Sequence, residues 1–221
     1  MERLLLGSDS ETTASVAALL LGRLSHAEPF GLTDRVPTEE PGVYALYYDG
    51  PRSCELYGGL TTDMPLYVGK AGNRLGERLR KHAATISFAD NLDPNDFVVR
   101  VLAVRDCLVS AAEVVLIAEY EPMWNTVITG FGNNPPGRGR CDQRRSAWDT
   151  LHPGRPWASA LTVDRPRSLV VEDVRRWCAE RHRPAPVIAL PEEVHLCIST
   201  FREPPNNSLA SSPIQSSPAR E

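Results

Sequence analysis

The chain has 221 residues, 42% hydrophobic and 24% charged, with a formal net charge of −4. That is long enough for one core with elaborations or two small ones, and the composition is ordinary for a globular chain. No apolar run nears the roughly 18 residues that a bilayer-spanning helix requires. Leucines 19–21 form too short a run, too far inside the chain, for a secretion signal.

The five cysteines, Cys54, Cys107, Cys141, Cys178 and Cys197, are widely spaced and form no CxxC pair. Neither a zinc site nor a disulfide framework is suggested, and reduced thiols in a cytoplasm fit best. The net charge argues weakly against a nucleic-acid partner, but its distribution does not. Met1 to Asp63 carries a balance of −6, whereas Val68 to His82 carries +4 and Asn134 to Ala158 carries +3. Such clusters make local fields that the whole-chain sum hides, although each could equally be a solvated face.

Residues 9 to 25 place Val16, Leu19, Leu20 and Leu24 at helical spacing and predict a leading helix. Residues 29 to 41, rich in Pro and acids, read as a loop. Gly42 to Tyr48 is aromatic and β-branched and is ended by Asp49-Gly50-Pro51, so it reads as a strand and a turn. Pro65 to Gly69 gives a second short strand, and the two suggest an antiparallel hairpin. Asn73 is a fair cap for a helix from Arg74 to about Ala83. Asp96 to Val104 is a third strand. Ser110 is placed to cap a helix reaching Tyr120, which Pro122 stops.

The resulting order predicts an α+β fold: a small antiparallel sheet of about three strands flanked by helices. Gly130 to Arg145 is too rich in Gly and Pro for regular structure. Ser168 to Arg181 reads as an amphipathic helix with Leu169, Val170, Val174 and Trp177 inward. Pro204 to Glu221 has the composition of a disordered tail. The expected organisation is an N-terminal helical extension over 1–40, a core over 41–126, a further extension over 127–203 and a tail over 204–221.

Within the core lies a sparse set of chemistry-bearing side chains. Arg78 and His82, four apart on the predicted helix, share a face. Tyr44 and Tyr67 lie on the two hairpin strands. Glu113 lies on the later helix and Asn125 just past Pro122. Each alone is ordinary, because strand tyrosines usually pack and helical Arg and Glu usually face water.

The combination is far more specific. Gly42-Val43-Tyr44 and Tyr67-Val68-Gly69, followed by Arg78, His82, Glu113 and Asn125, resemble the GIY-YIG nuclease family over about residues 41 to 126. Val stands for Ile in both tripeptides, and the connection between them is longer than in the minimal domain. Trp124-Asn125, Gly130-Phe131-Gly132-Asn133, Gly137-Arg138-Gly139-Arg140 and Ser146 to Arg155 further resemble the NgoMIII-like type II restriction branch.

That resemblance implies a site-specific, Mg²⁺-dependent DNA endonuclease, with Mn²⁺ as a substitute metal, acting as a homodimer on a short GC-rich palindrome in double-stranded DNA, without a membrane. It implies Glu113 as the metal ligand, Tyr44 as the base or water-orienting group and Tyr67 beside the scissile phosphate, with either tyrosine able to take the proton. Arg78 would stabilise transition-state charge, a forked role that Lys fills badly. His82 would relay a proton or hold Tyr44, and Asn125 would orient Glu113 or the phosphate. A phenol titrates near pH 10, so Tyr44 needs a neighbouring cation, for which Lys70, His82 and the metal are candidates.

DNA contacts are expected from Lys70, Arg74, Arg138, Arg140, Gln143, Arg144, Arg145 and Arg155. Reading guanine edges and anchoring phosphates are equally open roles for the arginines. The alternatives are a structure-specific or non-specific repair nuclease of the same family, and a DNA-binding module that does not cut.

Overall fold

The computed structural model describes residues 10–36, 40–137 and 142–181. The expected tail, with Arg138 and Arg140, lies outside them. The elements run α1 (Ser10–Ser25), β1 (Phe30–Gly31), β2 (Gly42–Tyr48), β3 (Tyr67–Ala71), α2 (Leu75–Ser87), β4 (Phe97–Ala103), α3 (Asp106–Tyr120), α4 (Met123–Thr126), α5 (Ala147–Leu151), α6 (Pro156–Ser159) and α7 (Arg167–Arg181). The fold is α+β, and its antiparallel sheet has the order β1-β4-β2-β3.

The fourth strand, β1, lies in the segment read as a loop. Its two residues pair Phe30 with Val99 and Gly31 with Val98, too short a stretch to leave a periodic signal.

β2 is the central strand, and all seven of its residues are buried. Strand alternation divides them between two faces. Val43, Ala45 and Tyr47 join Leu20 and Leu24 of α1 and Val109, Ala112 and Leu116 of α3 in one apolar cluster. Tyr44, Leu46 and Tyr48 join α2, Trp124, Phe131, Trp148 and α7 in the other. A strand buried on both faces carries no polar alternation, which is why Gly42 to Tyr48 reads as a continuous apolar run. Described residues between Ile128 and Trp177 therefore share the core of the sheet.

Several boundaries differ from the sequence expectation. α2 begins after Arg74, which makes no side-chain capping bond, rather than after Asn73, and it runs on to Ser87. Its buried stripe of Leu75, Leu79, His82 and Ile86 continues one turn past Ala83, so packing sets the end. α3 begins at Asp106, so Ser110 lies inside the helix and Glu113 near its middle. In α7, Val170, Val174 and Trp177 are buried as expected, but Leu169 is exposed. Val16 of α1 likewise faces outward. No helix among the described residues is long and apolar enough to cross a membrane.

Candidate active site

The hairpin of β2 and β3 places Tyr44 opposite Gly69. A Cβ on Gly69 would lie 2.5 Å from the Tyr44 hydroxyl and 2.9 Å from Cε1 of Tyr67. The glycine is thus required by close approach: the Tyr44 ring crosses directly over its backbone. The two tyrosine rings then stand 6.3 Å apart at 46°.

α2 supplies the facing wall. The four-residue spacing of Arg78 and His82 brings both to the Tyr44 hydroxyl. His82 Nε2 lies 2.7 Å from it, and Arg78 Nε donates to it at 3.3 Å. His82 is buried and packs against both tyrosine rings, at 5.6 Å from Tyr44 and 5.3 Å from Tyr67.

Electrostatics follow from this enclosure. Burial, reinforced by the Arg78 charge, lowers His82 to about 3, so it is a neutral imidazole at physiological pH. Burial first, and then the charge of Tyr67, holds the Tyr44 phenol well above its ordinary value. Burial raises Tyr67 as well. Arg78 opposes both shifts, whereas the Glu113 carboxylate adds to them. Of the protein cations expected to steady a phenolate, His82 is uncharged and Lys70 is engaged elsewhere; Arg78 takes that place. Lys70 pairs with Glu113 Oε2 at 2.8 Å and donates to Ser110 Oγ at 3.2 Å, because its position opposite Val43 turns it toward α3.

Asn125 does something other than orient Glu113 or a phosphate. Its Oδ1 accepts from Val68 N at 2.8 Å and its Nδ2 donates to Val68 O at 2.9 Å. The side-chain amide copies a neighbouring strand and fixes the edge of β3 between Tyr67 and Gly69. Trp124 N adds a bond to Leu66 O at 2.8 Å, so α4 locks the register of the whole tripeptide.

The residues expected to meet DNA divide. Arg74 is exposed and pairs with Glu77 at 3.3 Å, and Arg144 is exposed. Gln143 is half-buried, and its Oε1 has no hydrogen-bond partner among the described residues. Arg145 donates to Ala158 O at 3.0 Å and Ser159 O at 2.7 Å, tying its segment to α6. Arg155 cannot face DNA in this fold, because only 4% of its side chain is exposed. Its Nε donates to Asp149 Oδ1 at 2.6 Å and its terminal nitrogens to Gly130 O, Phe131 O and Asn133 O. A guanidinium so fully used is a structural knot.

Among the described residues, no three or more His, Cys, Asp or Glu side chains gather as a metal cage. The carboxylate whose charge reaches both tyrosines is Glu113. One carboxylate suits Mg²⁺, which keeps several of its own waters, and does not suit zinc, which takes three or four protein ligands.

Sequence reading missed Phe131 as a site neighbour. Its ring stacks on His82 at 4.6 Å and 19° and meets Tyr67 edge-on at 5.0 Å. The available signal was an aromatic residue isolated between glycines in an otherwise polar stretch.

Two tyrosines from a hairpin, converging with an Arg and a His from one helix face beside a carboxylate, can position a phosphodiester and manage its charge and protons. These are the tasks of a nuclease. The family model of the Eco29kI GIY-YIG domain matches residues 37–177, from the loop before β2 into α7. The chain belongs to the GIY-YIG nuclease family, resembles its restriction branch, and is a DNA-hydrolysing endonuclease. No curated protein matches it.

Proposed function

We propose that this chain is a type II site-specific restriction endonuclease, hydrolysing both strands of a short GC-rich palindrome as a homodimer in the cytoplasm, with Mg²⁺ or its substitute Mn²⁺. The observation that carries the chemistry is the Tyr44 hydroxyl held between His82 Nε2 and Arg78 Nε. Two-fold symmetric DNA calls for a two-fold symmetric protein.

In this reading Tyr44 orients the attacking water and takes its proton as the oxygen attacks phosphorus. His82, neutral and already bonded to the phenol, holds it in place, and the proton that Tyr44 must shed leaves to solvent before the step. Tyr67 stands beside the scissile phosphate. Arg78 stabilises the charge that builds on the phosphoryl oxygens, and its fork serves this better than an ammonium. Glu113 would hold the metal, which when bound supplies positive charge to the phosphate and the leaving oxygen. Exposed Arg74 and Arg144, with Arg138 and Arg140, are the arginines left to contact DNA, and Lys70 is the lysine nearest the carboxylate.

Incubation with plasmid and Mg²⁺, repeated with EDTA and with Glu113→Ala, tests the proposal. Discrete fragments in the first reaction alone support it. A smear indicates a non-specific repair nuclease, and intact plasmid across many DNA sequences indicates a binding module. Arg78→Lys is expected to keep DNA binding and lose most cleavage; near-normal cleavage would remove Arg78 from its role. Sequencing the fragment ends reports the site and the stagger together.

A further inference from the structure

The strongest unassigned feature is the Gly130–Asn133 loop and the buried ion pair beneath it. The backbone of Asn133 donates to Gly130 O at 3.1 Å, closing the turn. Three of its carbonyls face Arg155. Arg155 is anchored by Asp149, whose second oxygen accepts from Ser146 Oγ at 2.6 Å. The guanidinium also lies against two indole rings, 4.8 Å from that of Trp148 and 4.7 Å from that of Trp157. These buried contacts fix the loop from one side.

What it meets on its other side is the reacting cluster. An imidazole's second torsion is soft, so a hydrogen bond at one nitrogen leaves the ring plane loosely set. The face of Phe131 against His82 and its edge against Tyr67 remove that freedom. Gly132 comes next in the chain. A Cβ placed there would lie 3.5 Å from the Tyr67 hydroxyl and 3.7 Å from Nη2 of Arg78. Those distances are ordinary carbon contacts, so a methyl fits the free protein. They also describe the shell that a phosphate oxygen must enter, since such an oxygen sits about 2.8 Å from an arginine nitrogen.

We infer that the Gly130–Asn133 loop is a wall of the active centre: Phe131 positions His82 and Tyr67, the missing side chain of Gly132 leaves the opening through which a phosphodiester reaches Arg78, and Arg155 is the positioning residue that sets the wall. This inference rests on reading Tyr44, Tyr67, Arg78 and His82 as the reacting cluster.

The test compares wild type, Gly132→Ala, Gly132→Val, Phe131→Leu and Arg78→Ala on supercoiled plasmid with Mg²⁺ at saturating enzyme. Gly132→Val is expected to cut about 100-fold more slowly, the scale of loss for a reacting group displaced by an ångström. The loss should appear in the single-turnover rate, with little change in melting temperature. If valine unfolds the loop, Gly132→Ala carries the comparison. Phe131→Leu should slow cleavage and shift the His82 imidazole resonances, because the stacked ring current is gone; this readout needs no DNA. A wild-type cutting rate in Gly132→Val, or unshifted His82 resonances in Phe131→Leu, overturns the inference. The two readings separate cleanly. If Arg78→Ala cuts normally, the cluster itself is misread; if Arg78→Ala is dead and Gly132→Val is active, only the wall is wrong.

Discussion

Lowering the pH from 7.5 to 5 should cost this protein much of its stability through two buried histidines. His82 bonds to Tyr44, and His152 forms part of a second buried chain. In that chain Trp124 Nε1 donates to the Tyr57 hydroxyl at 3.0 Å, Tyr57 lies 2.5 Å from His152 Nε2, and His152 Nδ1 lies 2.9 Å from Asn91 Oδ1. With the second nitrogen donating to Asn91, a neutral His152 accepts the Tyr57 proton and every partner is satisfied. A protonated ring would place a second N–H against a hydroxyl that already receives one from Trp124.

Burial, with the Arg167 charge second, lowers His152 to about 3; burial and Arg78 bring His82 to about 3 also. The unfolded chain takes up a proton on each ring near pH 6.5, while the folded chain does not until about pH 3. Stability is therefore fully present above pH 6.5 and falls as pH drops toward 3. At pH 5 each histidine contributes a loss of about 2 kcal/mol, roughly 4 kcal/mol together, against a typical total of about 5–15 kcal/mol. The melting temperature should fall by roughly 8–16 °C for a domain of this size. Ordinary carboxylates titrate near pH 4, so the interval between pH 6.5 and 5 isolates the histidines. Thermal unfolding followed by circular dichroism measures the slope, and His152→Gln, which keeps a donor and an acceptor, should roughly halve it. A flat profile from pH 7 to 5, or an unchanged slope in His152→Gln, would refute the reasoning.

Other expectations follow from single contacts. Gly69→Ala drives a methyl into the Tyr44 hydroxyl and should cost about 1–3 kcal/mol by overpacking while abolishing cleavage; a crystal structure with Tyr44 still on His82 would contradict this. Arg155→Ala leaves Asp149 buried without its partner and should destabilise by about 3–5 kcal/mol. Normal melting with weakened DNA binding would instead restore Arg155 as a DNA contact. Asn125→Ala removes both bonds to Val68 and should cost about 1–3 kcal/mol, with Asn125→Asp no better because a carboxylate cannot donate to Val68 O. With its phenol held above the usual value, Tyr44 as base predicts a cleavage rate that climbs with pH through the neutral range. A pH-independent rate, measured under single-turnover conditions, would count against it.

Much of the site was legible in the sequence because its elements are local. A β-branched and aromatic run makes β2, a four-residue spacing puts Arg78 and His82 on one face, and the two tripeptides carry the family. Patterns of this kind survive in the chain because neighbouring residues decide them. Side-chain partners are decided by distant ones. Asn125 bonds to Val68, 57 positions away, and Arg155 to carbonyls 22 to 25 positions away. An arginine in a basic stretch looks the same whether it meets a phosphate or a buried carboxylate; only burial distinguishes the two, and burial is a property of the assembled core. The C-terminal end of α2 moved for the same reason, since the packing of Ile86 carries the helix past Ala83. Sequence alone thus determined the family and the short-range patterns that carry it. The tertiary structure decided which charges remain free to act, because neutralising a buried charge requires partners that the linear order does not bring together.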